Sequence, residues 1–454
     1  MAQLLPSIRK QTFALFKSLG TLTLILIAFP VSLSVVFVSL LWSYLTDFQK
    51  KVQADNPKNI LLTGAKMTKA LTLARSFHAA GHKVFLVETN KYWLAGNQFS
   101  NSVERFYTVP APQHDPDGYA QALLEIVKKE NIDMFIPVSS PVASVYDSLA
   151  SSVLSPYCEV FAFDAEITKM LDNKFTFSEK ARSLGLPAPK TFLITEPEQV
   201  LNFDFAADSS RYILKSIAYD SVHRLALLKL PCSADKMAEY VYSLPLSKNN
   251  PWIMQEFITG QEYCTHGVVR EGALLLYACS KSCDFLVNYE HDYNPAILEW
   301  VNHFVKELNL TGQICIDFIQ SEDGTVYAIE CNPRTSTCIT MFHDQLKAVA
   351  DAHLSDRSQA SKQPVQPLPD SNPTYWLFHE LWRFTNVRSW QQLQERLKII
   401  SRGTDAVFTV NDPLPFLGVN HWQIPLLILN SMRQLKGWER IDFNIGKLVQ
   451  LGGD

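Results

Sequence analysis

The chain has 454 residues, 47 % of them hydrophobic and 19 % charged, an ordinary globular composition with room for two or three domains. A formal net charge of −4 gives it no general attraction to nucleic acid. Its eight cysteines are scattered, and Cys279 and Cys283 lie four apart with no second pair, which argues against a zinc site and for reduced, mostly buried thiols in a cytosolic compartment.

The N-terminus departs from that composition. No charged residue occurs from Ser18 to Thr46, enough for about 40 Å of helix and more than a hydrocarbon core requires. Arg9, Lys10 and Lys17 precede the run, and Asp47, Lys50 and Lys51 follow it, so charge leaves the orientation open. A signal peptide has a shorter core and a small-residue cleavage site, which Trp42-Ser43-Tyr44-Leu45 does not offer. The stretch reads as a retained membrane anchor, either one tilted span or a re-entrant hairpin kinked at Pro30; a buried helix of a soluble protein is the competing reading.

After a polar linker, Asn59 to Glu88 reads strand, turn, helix, strand, a βαβ unit that implies a parallel sheet. Its first turn holds only Gly64, where a dinucleotide fingerprint needs three glycines, so NAD binding is rejected. Asp133 to Val138 is a further strand, and Ser139-Ser140 leaves its C-terminal end, either touching substrate or capping a helix. Ala165 to Leu184 is helical in pattern but broken near Asp172-Asn173. Tyr212 to Ser216 is a strand with Lys215 inside it, costly unless paired or functional. Trp252 to Ile258 is another strand, and Asn294 to Leu308 a helix.

Gln313 to Arg334 reads as a β-hairpin turning at Asp323-Gly324. With Glu322 opposite Thr325, Asp317 falls opposite Glu330, and Asn332 shares the face of Glu330. Opposed carboxylates destabilise a strand pair, so the set makes sense around a divalent cation; oxygen donors without His or Cys favour Mg²⁺. The bland alternative is a solvated hairpin face. Beyond residue 355, Ser355 to Pro373 reads as a linker, followed by a Trp-rich tail. Within the tail, His421 to Trp438 reads as an interfacial helix or as core.

The order of these pieces carries a resemblance. Asp172-Asn173-Lys174 opens a helix that ends at Gly185-Leu186-Pro187-Ala188-Pro189. Lys215 on its strand, Gln255 to Glu262, Asp317 and Glu330-Cys331-Asn332-Pro333-Arg334 follow. From about Asn59 to Ala350 this resembles the ATP-grasp ligases. The resemblance implies an α/β ATP-grasp fold: a parallel-sheet N-terminal domain, then two α+β lobes clasping ATP. It divides the chain into an anchor and linker over 1–55, the N-terminal α/β domain over 56–165, the ATP-grasp region over 166–355 and a Trp-rich extension over 356–454.

The resemblance also implies roles. Lys174 and Lys215 match the lysines on the nucleotide phosphates. Gln255, Glu256, Phe257 and Ile258 match the hinge beside the adenine, and Glu262 the acceptor for the ribose hydroxyls. Asp317, Glu330 and Asn332 match the Mg²⁺ ligands, for one ion or two, with Mn²⁺ as a substitute. Arg334 matches the arginine at the transferring phosphoryl group, making Arg334 and Lys215 the catalytic pair. The usual glycine-rich loop after the second lysine is here Ser216 to Arg224 with no glycine; Ser221, His223 and Arg224 are side-chain donors in its place.

The whole chain is further similar to ATP-grasp enzymes that join glycine to 4-deoxygadusol. That implies small-molecule partners: ATP, glycine and 4-deoxygadusol. The charge balance gives no nucleic-acid partner, the apolar run gives a membrane met through residues 18–46, and ATP use with reduced thiols places the catalytic part in the cytoplasm. Arg224 or Lys281 would receive the donor carboxylate, and Ser336, Thr337 and His343 would line the acceptor pocket or a surface loop. Competing readings are a carboxylate–amine ligase for a peptide or cell-wall precursor, and a nucleotide-binding scaffold without catalysis. A scaffold has no need to keep three metal ligands.

Overall fold

A parallel sheet forms where the βαβ pattern places it. In the computed structural model, which describes residues 4–46, 52–138, 143–207, 209–218, 220, 227–282, 288–355 and 363–450, helix α1 (Leu4–Leu45) comes first. Then β1 (Asn59–Leu62), α2 (Thr68–Ala79), β2 (Lys83–Thr89), β3 (Arg105–Val109), α3 (Pro116–Glu130), β4 (Met134–Ile136), α4 (Ser144–Leu154) and β5 (Glu159–Val160) build a five-stranded sheet of order β3-β2-β1-β4-β5. All of its pairings are parallel. The order reverses between β1 and β4, and in open α/β sheets a ligand crevice lies at such a switch point. Gly64 leaves β1 there with φ +71°, and a Cβ on it would meet the Val138 carbonyl oxygen at 2.7 Å, so both backbone and space require glycine.

The helical stretch is broken as expected, into α5 (Ala165–Asp172) and α6 (Lys174–Ser183). Asn173 causes the break: it sits in extended geometry and caps α6, its Oδ1 accepting from Phe175 N at 2.9 Å and Thr176 N at 3.3 Å. One lobe follows, with β6 (Thr191–Ile194), α7 (Pro197–Leu201), β7 (Tyr212–Ser216), α8 (Ala234–Ser243) and β8 (Trp252–Glu256) in an antiparallel sheet of order β6-β8-β7. Strand β8 stops two residues short of the expected Ile258. The second lobe is the antiparallel sheet β10-β9-β11-β12, made of β9 (Gly260–Arg270), β10 (Ala273–Lys281), β11 (Gly312–Ser321) and β12 (Val326–Asn332), with α9 (Pro295–Glu307) packed on it.

The β11–β12 hairpin reaches the expected pairing by an unexpected route. Its tip is a three-residue loop, not two: Ser321 N donates to Thr325 O at 3.0 Å and Gly324, at φ +87°, donates to Ser321 O at 2.9 Å. That slips the register by one, so Phe318 faces Ala328. A bulge at Ile329 slips it back, and Asp317 faces Glu330 with Cys315 opposite Asn332.

After α10 (Leu346–Leu354), the predicted linker is docked where it is described. Val365 donates to Leu275 O at 2.9 Å and accepts from Tyr277 N at 2.8 Å, because an apolar residue can add to the open edge of β10. The tail then folds as β13 (Thr374–Tyr375), α11 (Leu377–Phe384), α12 (Trp390–Arg402), β14 (Thr404–Asp405), α13 (Leu414–Leu417), a wide turn of helix over Gly418–Gln423, α14 (Ile424–Arg433) and the hairpin β15 (Trp438–Asp442) and β16 (Lys447–Gln450). It shares one core with the N-terminal sheet: Ile424, Ile428 and Phe416 belong to the cluster that holds Ile60, Leu71 and Phe77. Helix α1 runs through Pro30 without interruption, so the re-entrant hairpin is not formed; Ala14–Leu45 is a single helix long and apolar enough to cross a membrane.

Candidate active site

Three elements bring the charged residues together: the start of α6, the β7–β8 pair and the β11–β12 hairpin. Capping by Asn173 fixes the first turn of α6 and so aims Lys174, whose Nζ lies 3.4 Å from Glu330 Oε1. Lys215 on β7 donates to Gln255 Oε1 on β8 at 3.0 Å, and Gln255 Nε2 in turn donates to Ile329 O, the bulged residue, at 3.4 Å. The bulge that restores the hairpin register therefore also joins the two lobes. Arg334 donates to Asp172 Oδ1 at 3.2 Å and to Asn332 Oδ1.

The electrostatics follow from burial and mutual charge. Burial pushes Asp317 up to about 7, and Glu330 across the hairpin adds to the rise. Burial would raise Glu330 too, but Lys174, Lys215 and Arg334 together hold it below the ordinary carboxylate range. Lys215 is lowered, by burial first and against the pull of Glu330. Asp172 is raised by burial despite Arg334. One carboxylate of the pair is thus balanced by cations and the other is not. The donor set fits a hard divalent cation, which would relieve the opposition of Asp317 and Glu330; Asn332 Oδ1 keeps a second lone pair beyond the one given to Arg334.

The remaining predicted residues lie at graded distances from this centre. Glu262 on β9 pairs with Ile319 on β11 and contributes to the field that raises Asp317. Glu256 is engaged structurally, accepting from Lys190 N at 3.1 Å and Ser210 Oγ at 2.8 Å. The amides of Glu256 and Phe257 donate to Lys190 O and Arg211 O, and Ile258 follows beyond the strand end. Lys281 forms an exposed ion pair with Asp292 at 2.9 Å. Ser336 caps Cys338 N, Thr337 donates to Asn444 Oδ1 at 2.9 Å and His343 Nε2 lies 3.0 Å from Asn372 O. Ser139, Ser140, Ser221, His223 and Arg224 lie outside the described residues.

Two features of the centre escaped the sequence reading. Cys264, Cys315 and Cys338 gather beside Asp317, with Sγ–Sγ separations of 3.7 Å from Cys264 to Cys315 and 3.8 Å from Cys264 to Cys338. The i, i+2 spacing of Cys315 and Asp317 on one strand was the available signal; the pairing of Cys264 with Asp317 across strands was not. Lys69 on α2 reaches from the N-terminal domain to donate to Thr335 O at 2.6 Å, next to Arg334, and burial with the Arg334 charge lowers it to about 7.

Comparison with known proteins agrees with this geometry. Residues 171–338 match the ATP-grasp domain family. No curated protein sequence matches the chain. Among solved structures, an L-amino acid ligase from Bacillus licheniformis is 14 % identical with a TM-score of 0.53, over 70 % of this chain and 79 % of that one. An N5-carboxyaminoimidazole ribonucleotide synthetase solved as its ADP complex is 15 % identical with a TM-score of 0.54, over 74 % and 87 %. The biotin carboxylase domain of the Hydrogenobacter thermophilus 2-oxoglutarate carboxylase, solved with ADP, its magnesium salt and bicarbonate, is 12 % identical with a TM-score of 0.52, over 67 % and 72 %. The chain has the ATP-grasp fold.

Proposed function

We propose that the chain is an ATP-dependent, ADP-forming C–N ligase, and that it joins glycine to 4-deoxygadusol to give mycosporine-glycine, ADP and phosphate. The observation that carries the ligase reading is the convergence of Asp317, Glu330 and Asn332 with Lys174, Lys215 and Arg334 where α6, the β7–β8 pair and the β11–β12 hairpin meet. The narrower substrate assignment is supported by the resemblance of the whole chain to enzymes of that reaction.

Mg²⁺, held by Asp317, Glu330 and Asn332, would neutralise phosphate charge in the bound nucleotide. Lys174 and Lys215 supply compact positive charges from α6 and β7. Arg334 spends two of its five donors on Asp172 and Asn332, leaving others for the γ-phosphoryl group. The acceptor oxygen, an enolate of a vinylogous acid in 4-deoxygadusol, attacks the γ-phosphorus and ADP leaves. The amine nitrogen then attacks the activated carbon, phosphate departs and the nitrogen loses a proton. The two lobes must exclude water while the phosphorylated intermediate exists. The apolar α1 holds the protein at a membrane, with the catalytic part in the cytoplasm.

The test is the purified protein with ATP, Mg²⁺, glycine and 4-deoxygadusol, product followed by mass and ultraviolet absorbance. A pocket that selects by size rejects serine more strongly than it penalises alanine, because a buried hydroxyl also needs a partner. A preference for alanine or serine, or ADP release without a glycine adduct, removes the substrate assignment and leaves the ligase reading in place. A second reading, a ligase for a peptide or cell-wall precursor, is favoured by the apolar helix, and a panel of such acceptors tests it.

A further inference from the structure

Helix α1 buries one narrow stripe and exposes the rest. Ser18, Thr21, Ile25, Ser32, Val36, Ser39 and Ser43 are buried at helical spacing. Ile25 and Val36 enter the core cluster that also contains Phe416, Val419, Ile424 and Ile428. The helix touches α13, α14 and the turn between them, and Phe29 meets His421 edge to face at 5.2 Å between ring centroids. The other faces are almost wholly apolar and open, as at Leu26, 70 % exposed, and Phe37, 64 %. The hydroxyls on them are satisfied inside the helix: Thr23 donates to Leu19 O and Ser34 to Pro30 O.

Both ends of the apolar run of α1 are tied to the same catalytic body. Where that run begins, thirteen residues into the helix, Lys17 Nζ donates to Trp438 O at 3.1 Å and Glu439 O at 2.6 Å, and Trp438 Nε1 donates to Ser18 Oγ at 2.9 Å. The hairpin that carries Trp438 is itself seated on that body: Thr68 N donates to Asn444 O at 3.0 Å, and Thr337 Oγ1 to Asn444 Oδ1. At the other end, six peptide links separate Thr46 from Val52, a reach of at most about 22 Å. The backbone of Val52 to Ala54 packs against Gly81 of the N-terminal domain. A helix of about 40 Å between two such ties lies along the body. It cannot carry one end across a hydrocarbon core of about 30 Å unless the body follows.

From this geometry we propose that α1 lies in the plane of the bilayer, embedded in a single leaflet, with the C-terminal extension as the cradle that holds it there. The proposal rests on the membrane reading given above and replaces a spanning helix by an in-plane one. The elements that touch α1 expose further large apolar side chains, Trp422 at 52 %, Leu414 and Leu429. Exposed Arg433 ends α14 and exposed Lys436 follows it, where lipid headgroups would meet them. The occupant of this surface is a phospholipid leaflet.

The test uses the full chain with one epitope tag at each end, expressed in bacteria. Protease is added to spheroplasts and to inverted inner-membrane vesicles, after flotation of the membranes. An in-plane helix leaves both tags protected in spheroplasts and both cleaved in inverted vesicles. Cleavage of the N-terminal tag in spheroplasts overturns the in-plane arrangement but keeps the membrane reading. Absence of the protein from the floated membranes overturns the membrane reading itself. The double variant Leu26→Lys/Phe37→Lys alters only the open face. It is expected to lower the membrane-bound fraction about tenfold or more while ATP turnover and thermal stability stay at the wild-type level. An unchanged membrane-bound fraction rejects this face as the lipid contact.

Discussion

The hairpin centre and the junction between the N-terminal domain and the C-terminal extension both bury charges, and they treat them in opposite ways. At the junction, Asp412 accepts from Arg75 Nε at 2.8 Å, Ser100 Oγ at 2.7 Å and Asn101 N at 2.9 Å, while Arg75 Nη2 donates to Val407 O and Asp412 O. Glu88 is treated alike, accepting from Lys66 Nζ and from the amides of Lys66 and Thr89. At the hairpin, Asp317 faces another carboxylate and a set of thiols, and burial leaves it raised. The buried, fully bonded Asp412 and Glu88 hold the fold together, whereas the half-buried Asp317, opposed by Glu330, holds its proton more tightly than an ordinary carboxylate, the mark of a candidate ligand site.

The largest effect is expected at the unsatisfied end of that contrast. Glu330→Gln keeps shape and removes charge, so turnover should fall by about a thousandfold, near 4 kcal/mol of barrier, with the fold unchanged by circular dichroism. Chelation of divalent cations should have the same consequence in the wild type and be reversed by Mg²⁺. Near-full activity of Glu330→Gln in Mg²⁺ would show that the hairpin is not the metal site.

Next in size is the satisfied junction. Arg75→Ala strands a buried Asp412 and should destabilise the protein by about 3 kcal/mol or more in denaturant titration. The kcat of the folded fraction should stay close to wild type. A loss of kcat without loss of stability would mean that the junction belongs to the catalytic machinery.

Lys215→Met tests the cationic side of the centre. Losing one phosphate contact should raise KM for ATP by about 10- to 100-fold, with a smaller change in KM for the amine. Equal changes in both constants would place Lys215 outside the nucleotide site.

The smallest effect concerns Asp147, a buried acid raised to about 7 by burial, against hydrogen bonds from Tyr119 and Thr63. Between the ordinary carboxylate value near 4 and about 7, the unfolded chain has released this proton and the folded chain still holds it. Its contribution to stability therefore falls as pH rises through that window, by up to about 1.4 kcal/mol per pH unit. Asp147→Asn should flatten that slope; urea titrations at pH 5 and pH 7 that show the same slope in wild type and variant would exclude the assignment.

Much of this protein was legible in the residues themselves. The βαβ pattern, the helix break at Asn173, the strand holding Lys215 and the pairing of Asp317 with Glu330 follow from short-range periodicity and capping, which act over a few residues. Even there the hairpin pairing came from two offsets that cancel, a longer tip and a bulge at Ile329, and the two-residue turn was not formed. Only the tertiary structure could decide the rest. Lys69 meets Thr335 across 266 positions, Cys264 meets Cys315 across 51, and Lys17 meets Trp438 across 421. An apolar run near the N-terminus is compatible with spanning, re-entry or a core helix, because hydropathy records what a helix avoids. What it lies against depends on the small-residue stripe finding α13 and α14, a contact set by shape at a distance the local pattern does not encode.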